Sequence, residues 1–306
     1  MEAGNSCLTA LHRFSQPVQI GDMPDLVVRR AKLAAVAGVV IACASAPRVS
    51  PAAAVYEVYA IRYATIPNFP VAALIAGTDT SRRLDIAMMV WLLKANGRNV
   101  LVDAGFHRPD LIQRWKPADY IEPSAAVARA GTRAEDVTDI IVSHVHWDHF
   151  DGVDLFPNAT IWIQRDEYEH HVDSAGHPLN RAIDAPNAML LARLRRAGRV
   201  RLVAGDAQEI LPGITVYTGG KHTYQSQYAA VRTAEGTVVL ASDNAYLYEN
   251  FDKHLPIAQT LDAASNLRAQ DRMRSLASSA RLIVPGHDPA VFERFPLVQP
   301  GVARIR

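Results

Sequence analysis

Six consecutive residues at positions 144–149, His-Val-His-Trp-Asp-His, include four side chains that could bind a metal ion. Imidazole nitrogens and carboxylate oxygens are the usual ligands of zinc and other borderline divalent metals. Side chains alternate along an extended segment, so His144, His146 and Asp148 would point one way and His149 would diverge. One short segment could therefore supply two adjacent metal ions. The alternative is a polar loop whose histidines only form hydrogen bonds.

Three further ligand-type side chains follow predicted strands later in the chain: His222, Asp243 and His287. In each case a β run leads into a turn of small residues and then into a His or an Asp. One cluster at 144–149 would leave each metal with too few ligands. These three residues are therefore candidates to complete the coordination.

The elements that must position these residues are visible as alternating or apolar runs. The β-branched run at 139–143 predicts a buried strand that ends at the histidine cluster, and a turn at 95–97 predicts a hairpin. A helix is predicted around 124–130. Strands in runs with helices between them favour two packed sheets covered by helices over one doubly wound parallel sheet. The predicted strands are 55–61, 87–93, 99–102, 139–143, 160–164, 200–203, 214–217, 228–232, 237–241 and 281–284.

A polar, helix-prone insert separates two of these strands at 166–198, with leucines 190, 191 and 194 at helical spacing. We expect it to pack near the mouth of the site as a cap. Its three histidines, His170, His171 and His177, are predicted to lie on the surface.

The run at 144–149, followed in order by His222, Asp243 and His287, resembles the metallo-β-lactamase superfamily, and the resemblance covers nearly all of the chain after its leader. It implies an α/β fold, a four-layer αββα sandwich with the site at the edge of the sheets. It also implies two metal sites. One would take His144, His146 and His222, the other Asp148, His149 and His287, and Asp243 would bridge them.

The same resemblance implies a hydrolytic mechanism with two divalent cations, zinc first and iron or manganese as alternatives. Two cations lower the pKa of a shared water, so a bridging hydroxide could attack an ester carbonyl. Asp148 is predicted to have a second, catalytic role, taking up a proton as the tetrahedral intermediate collapses. Asp103 lies in an Asp-Ala-Gly turn that resembles an Asp-Thr-Gly turn of the family, except for Ala104. We expect it to support the site or the fold.

Within the superfamily, the sequence is most similar to the lactonases that open acyl-homoserine lactones. Residues 243–246, Asp-Asn-Ala-Tyr, resemble a lactonase pattern in which the Tyr reaches the substrate carbonyl, so Tyr246 is a predicted catalytic residue. A core role is the alternative for Tyr246. The segment around His222 departs from the lactonase pattern Thr-Pro-Gly-His-x-Pro-Gly-His and keeps only that His. The predicted substrate is a small ester or lactone similar to an acyl-homoserine lactone.

Several other functions use similar residues. A glyoxalase II-like thioesterase keeps the same ligands, although no basic cluster suited to glutathione is evident near the C-terminus. The best-known zinc β-lactamases carry Cys in place of Asp243, and flavo-di-iron oxygen reductases carry Glu in place of His149. A protein that only stores or senses metal is a further alternative. The 32 Lys and Arg residues balance 31 Asp and Glu residues, so the net charge gives no indication of nucleic-acid binding.

Residues 1–53 are predicted to be a leader with a secretory signal, and residues 54–306 the hydrolase domain. Arg29 and Arg30 precede an apolar run at 33–46 that ends in small residues, a layout typical of a bacterial signal peptide. Export to the periplasm is predicted, with a buried N-terminal helix as the alternative. Cys43 resembles a lipobox cysteine, whose lipid would be the one link to a membrane. Because Cys7 and Cys43 both lie in the leader, the hydrolase domain has no thiolate ligand.

Overall fold

The computed structural model describes residues 54–95 and 97–306, so the predicted signal, Cys7 and Cys43 lie outside the described residues. The strands are β1 (Glu57–Pro70), β2 (Arg83–Ala95), β3 (Arg98–Val102), β4 (Asp139–Ile141), β5 (Thr160–Gln164), β6 (Val200–Val203), β7 (Gln208–Leu211), β8 (Ile214–Thr218), β9 (Gln227–Thr233), β10 (Gly236–Ser242), β11 (Ile283–Pro285), β12 (Leu297–Gln299) and β13 (Val302–Ile305). The α-helices are α1 (Pro109–Trp115), α2 (Pro123–Arg129), α3 (Trp147–Phe150), α4 (Arg165–His171), α5 (Ala185–Arg196), α6 (Tyr248–Asp252), α7 (Ala263–Leu276) and α8 (Val291–Arg294).

These strands form two mixed sheets. The larger has eight strands in the order β12-β13-β1-β2-β3-β4-β5-β6. Its pairs are antiparallel from β12 to β3 and parallel from β3 to β6. The smaller has five strands in the order β11-β10-β9-β8-β7, and only β10 and β11 are parallel. The carboxyl ends of parallel strands lie at one edge of a sheet. The candidate ligands follow these ends.

The middle of the larger sheet is buried on both faces. Successive side chains of a strand point to opposite sides of a sheet, so each central strand contributes to two cores. On β2, Met89 and Trp91 belong to a core shared with apolar side chains of β8, β9 and β10 in the smaller sheet. The alternate residues Val90 and Leu92 belong to a second core, under α1, α2 and α5. This burial on both sides explains the uninterrupted apolar run of β2.

Helix α7 covers the outer face of the smaller sheet. Ala269 and Met273 of this helix pack against Ala230 of β9 and Val239 of β10. The order of layers is therefore helices, larger sheet, smaller sheet and helix, which confirms the predicted αββα sandwich. Among the described residues, no helix combines the length and apolar character needed to cross a membrane.

All ten predicted strands are present, although several bounds differ. The predicted strand at 55–61 is part of a longer β1 that continues to Pro70 and shifts register against β2 twice. The expected start of the strand at 281–284 is a single 3-10 turn, Ala280–Leu282, and β11 begins at Ile283. Strands β7, β12 and β13 were not predicted. The helix expected at 124–130 is α2, one residue earlier.

Candidate metal centre

The candidate ligands lie at a common edge of the two sheets. Asp243 directly follows β10 and His287 follows β11, and these two strands are parallel neighbours. His144 lies just beyond the carboxyl end of β4 in the larger sheet. His222 lies in the loop between β8 and β9. Four separate segments therefore meet where the strands end.

Helix α3 begins at Trp147, inside the His-Val-His-Trp-Asp-His segment. Asp148 is therefore helical, and the expectation that it alternates with His144 and His146 on an extended segment is wrong. Asp148 instead groups with the next residue, His149. The turn into the helix separates the segment into two pairs of side chains, one for each cluster.

The first cluster consists of His144, His146, His222 and Asp243, whose ligand-type atoms lie within 4.8 Å of one another. The Nδ1 atom of His146 lies 3.0 Å from Nε2 of His144 and 2.9 Å from Nε2 of His222. Oδ2 of Asp243 lies 3.4 Å from Nε2 of His222 and 3.8 Å from Nε2 of His144. Three imidazole nitrogens and one carboxylate oxygen thus face one point.

The second cluster consists of Asp148, His149 and His287. Oδ2 of Asp148 lies 3.5 Å from Nε2 of His149 and 3.7 Å from Nε2 of His287. The other oxygen of Asp243, Oδ1, lies 3.3 Å from Nε2 of His149 and 3.0 Å from Nε2 of His287. The Asp243 carboxylate therefore lies between the two clusters and contributes one oxygen to each.

Divalent cations fit this arrangement. Nε2 of His149 and Oδ1 of Asp243 are buried atoms without a hydrogen-bond partner among the described residues. Buried polar atoms normally have partners, and metal coordination is one way to satisfy such atoms. The donor set, five imidazoles and two carboxylates without a thiolate, is suited to zinc, and also to iron or manganese.

Backbone carbonyl groups orient two of the imidazoles. Nδ1 of His222 lies 2.8 Å from the carbonyl oxygen of Gln259, and Nδ1 of His287 lies 3.0 Å from that of Ala87. A carbonyl oxygen only accepts, so each Nδ1 carries the proton. In the neutral ring, Nε2 then presents its lone pair to the cluster, the orientation that metal-ligating histidines use.

Asp103 supports the centre, as the sequence predicts. Its Oδ2 lies 2.8 Å from Nδ1 of His149 and accepts a hydrogen bond of 2.9 Å from the hydroxyl of Ser242. Both oxygens also accept hydrogen bonds from Ser143, one from its amide and one from its hydroxyl. Asp103 itself has a positive φ of 60° and is fully buried. It joins the ends of β3, β4 and β10 to one ligand.

Burial and neighbouring charges divide the histidines into two kinds. Burial holds the pKa of His144 well below its ordinary value and lowers the pKa of His146 to about 4. These rings are neutral, the form that binds metal. Burial also opposes protonation of His149 and His287, but the nearby carboxylates, Asp243 foremost and Asp148 with it, together outweigh burial and raise the pKa of both. The same contacts hold the pKa of Asp243 well below its usual range despite burial, so it is charged.

Tyr246 is buried and also lines the cavity that opens onto the ligands. Its hydroxyl lies 3.3 Å from Nδ1 of His222. Burial, together with the negative charges of Asp243 and Asp148, holds the pKa of the Tyr246 hydroxyl well above its usual value, so it keeps its proton. Tyr246 is thus both a core residue and a wall of the site.

A cavity of about 270 Å³ lies over the two clusters. Its polar lining includes Asp148, Asp243 and His287. Its apolar lining is formed by Ile66, Phe69, Leu74, Ile86, Met88, Trp115 and Trp147. The rings of Trp115 and Trp147 stack, with centroids 4.9 Å apart. The cavity therefore combines ligand-type side chains with apolar ones.

The insert at 166–198 borders this site, as predicted. It contributes Arg181 and Ala182 to the first cavity, and His170 and His171 to a neighbouring cavity that also touches His146 and His222. His170 and His177 are exposed. The surface prediction for His171 is wrong: it is only 3% exposed, because it packs against the buried carboxylate of Glu167.

The chain is a metal-dependent hydrolase by its fold, its gathered ligand-type residues and its relatives. It belongs to the metallo-beta-lactamase superfamily, whose family profile matches residues 88–287. This finding confirms the family that the sequence resembles.

Several lactonases are similar to this chain. An N-acyl homoserine lactonase of Bacillus cereus is 29% identical over 221 residues, which cover 67% of this chain and 82% of that protein. The N-acyl homoserine lactonase AiiA of Bacillus thuringiensis subsp. kurstaki is 31% identical over 163 residues, 52% of this chain and 59% of that one.

Solved structures share the fold. A quorum-quenching N-acyl homoserine lactone lactonase matches with a TM-score of 0.65 and 23% identity, covering 80% of this chain and 97% of its own. AidC, a dizinc quorum-quenching lactonase, matches with a TM-score of 0.60 and 15% identity, covering 82% of this chain and 97% of its own. At such identities the likeness shows the fold alone.

Sequence reasoning missed Glu167 and the stacked Trp115 at the site. Glu167 lies in a polar stretch, Arg-Asp-Glu-Tyr, that is typical of an exposed helix. Trp115 ends α1, far from the ligand motif along the chain. Only its position in the fold reveals its role.

Proposed function

We propose that this chain is a dinuclear metal-dependent lactonase that opens the ring of an acyl-homoserine lactone-like substrate. The observation that carries the proposal is the Asp243 carboxylate, which offers one oxygen to each of two ligand clusters. The similarity to N-acyl homoserine lactonases supports the substrate class.

Residues would divide between the two ions by proximity. His144, His146 and His222 would hold one ion, Asp148, His149 and His287 the other, and Asp243 would hold both. When bound, divalent cations supply Lewis acidity, which makes hydroxide available near neutral pH and polarises a carbonyl group.

The chain's own residues have two further roles in this proposal. Tyr246 keeps its proton and can donate a hydrogen bond to the carbonyl oxygen of the substrate, where negative charge develops during attack. Asp148 takes up the proton of the tetrahedral intermediate as it collapses and passes it to the ring oxygen as the carbon–oxygen bond breaks. Water thus adds across the ester bond, and a hydroxy acid is the product.

The cavity fits a substrate with a polar head and an apolar tail. The ester would lie against Tyr246 and the clusters, and the tail against Met88, Trp115 and Trp147. Burial of apolar tail surface contributes roughly 25 cal/mol per Å² in favour of binding. A balanced net charge of +1 is compatible with an uncharged substrate.

The direct test is acid release from N-hexanoyl-homoserine lactone by the purified full chain. We expect turnover with zinc, none after chelation, and none with Asp243→Ala at any zinc concentration. A protein that binds two zinc ions and leaves the lactone intact would contradict the lactonase function. A glutathione thioester assayed beside the lactone would then test the thioesterase alternative.

We also propose that the chain is exported, on the basis of the basic pair and apolar run of the leader. Fractionation of bacterial cells that produce the full chain tests this. We expect to recover the protein from the periplasm. Recovery from the membrane fraction, lost in Cys43→Ser, would indicate that Cys43 is lipidated. Recovery in the cytoplasm alone would contradict export.

A further inference from the structure

Glu167 is a charged residue that is completely buried although it contributes no atom to either ligand cluster. It occupies the third position of α4, directly after β5. A buried carboxylate is costly unless charged or polar groups satisfy its oxygens. Its partners therefore indicate why it is there.

Three donors from two different loops surround the Glu167 carboxylate. Its Oε1 accepts hydrogen bonds from the amide of Val145, at 3.2 Å, and from the hydroxyl of Thr223, at 2.6 Å. Its Oε2 accepts one from the amide of Gln225, at 2.7 Å. A carboxylate is the side chain that can accept from all three at once.

Both loops carry candidate ligands of the first cluster. Val145 lies between His144 and His146, and Thr223 directly follows His222. One carboxylate thus joins the two backbone segments that present all three histidines. These contacts set the distance between the segments, and a ligand displaced by a fraction of an ångström loses good coordination geometry.

We propose that Glu167 is a positioning residue for the metal centre and that it sets the spacing of the His144–His146 and His222 loops. The inference rests on the proposed metal centre and deepens it. Burial raises the pKa of Glu167, but His171 and the hydrogen-bond donors outweigh burial and lower it, so the carboxylate stays ionised in its role as acceptor.

The same carboxylate is linked to the wall of the substrate cavity. Nε2 of His171 lies 3.5 Å from Oε2 of Glu167, and its Nδ1 lies 2.7 Å from Oδ1 of Asn180. That amide oxygen also accepts a hydrogen bond from the backbone of Ala182, which lines both cavities. Glu167 therefore connects the ligand loops to the insert that borders the substrate.

The test compares zinc affinity and zinc stoichiometry of the full chain with those of Glu167→Gln. Glutamine keeps the shape of glutamate, but its NH₂ group cannot accept a hydrogen bond. In one orientation this group faces the backbone N–H of Gln225, and in the other it faces the backbone N–H of Val145. We expect at least about 10-fold weaker binding of zinc at the first cluster, measured by competition with a chromogenic chelator. Thr223→Val, which removes one of the three donors, should weaken binding in the same direction by less.

The matched control is Asp139→Asn. Asp139 is also a buried carboxylate with several donors, including Arg98 and Trp162, but it lies at the start of β4, away from the ligands. It should lower thermal stability without changing zinc affinity. If Glu167→Gln fails to fold, Thr223→Val decides.

Three outcomes overturn the proposal. Parental zinc affinity in both folded variants would make Glu167 a structural residue only, while the proposed lactonase function would be unaffected. An equal loss of zinc affinity in Asp139→Asn would show that any destabilisation weakens the centre. A parent chain that binds no zinc would contradict the metal centre itself, and with it the proposed function.

Discussion

Asp243 connects two groups of ligands that the chain brings from distant segments. Its Oδ2 faces His222 and its Oδ1 faces His287. The residue types at 144–149, 222, 243 and 287 were enough to propose these seven side chains as a set. Their spacing along the chain could not show that Asp148 turns away with His149, because the start of α3 at Trp147 is a local backbone feature.

Burial of single residues was harder to predict than ligand type. The histidines of the insert all have a surface pattern in the sequence, yet His171 is buried. Its partner, Glu167, is four residues earlier on the same helix face, a spacing that is equally compatible with an exposed ion pair. The pair is buried because loops from elsewhere in the chain cover Glu167, and the spacing alone cannot show this.

Tyr246→Phe tests the proposed hydrogen-bond donor to the carbonyl oxygen of the substrate. Removing one hydrogen-bond donor of this kind typically lowers kcat by roughly 10²-fold or more. We expect such a loss in lactone hydrolysis with unchanged zinc content, because Tyr246 is not among the ligand clusters. Tyr248→Phe is the control, since Tyr248 is also buried and its hydroxyl has no partner among the described residues. Equal activity of both variants would limit Tyr246 to a core role.

The sequence predicts strands best where burial produces a regular pattern of apolar residues. Strands with both faces covered, such as β2, appear as apolar runs. Two of the three missed strands lie where that pattern is absent: β12 is exposed along its whole length, and half of β7 is exposed. The third, β13, is mostly buried but only four residues long. The second half of β1 contains two prolines and two register shifts, which obscure its alternation. Tertiary pairing, rather than local preference, forms these segments.

Gly152 lies in the 3-10 turn after α3, and its contact with the turn after β3 predicts the effect of Gly152→Ala. A Cβ atom at Gly152 would lie 2.2 Å from the carbonyl oxygen of Ala104, whose amide donates to the carbonyl oxygen of His149. The clash must move backbone, so we expect a loss of roughly 1–3 kcal/mol in the free energy of unfolding. It should also weaken zinc binding, because the moved backbone carries His149.

Gly77→Ala is the control for this prediction. Gly77 has a positive φ of 74°, and a Cβ atom there meets nothing within 4 Å. It should cost about 1 kcal/mol through backbone strain alone and leave zinc binding unchanged. Denaturant unfolding and chelator competition on both variants measure the two effects. Unaltered stability of Gly152→Ala would show that the turn can move away freely.

The described part of the chain is an αββα sandwich whose two sheets end at one site. Two carboxylates lie among five imidazoles in a largely buried site, and bound cations would neutralise the carboxylates and coordinate the imidazole nitrogens. A cation that binds only the folded state also stabilises it, by about 2.7 kcal/mol at a concentration 100 times its Kd. Stability and function are therefore linked through the same ions.

Removal of metal should consequently lower the melting temperature. For a domain of this size we expect a fall of about 5 to 10 °C on chelation, with recovery when zinc is restored. Differential scanning calorimetry measures it. The shift should be smaller in Asp243→Ala, which lacks the shared ligand. Identical melting temperatures with and without zinc would show that the clusters hold no ion.

The most direct measurement is a titration of metal-free full chain with zinc, followed by the rate of N-hexanoyl-homoserine lactone hydrolysis. The proposed dinuclear lactonase predicts that activity rises until two equivalents of zinc are bound per chain and then stays constant. Full activity at one equivalent would contradict the dinuclear mechanism. No hydrolysis with two ions bound would contradict the lactonase function.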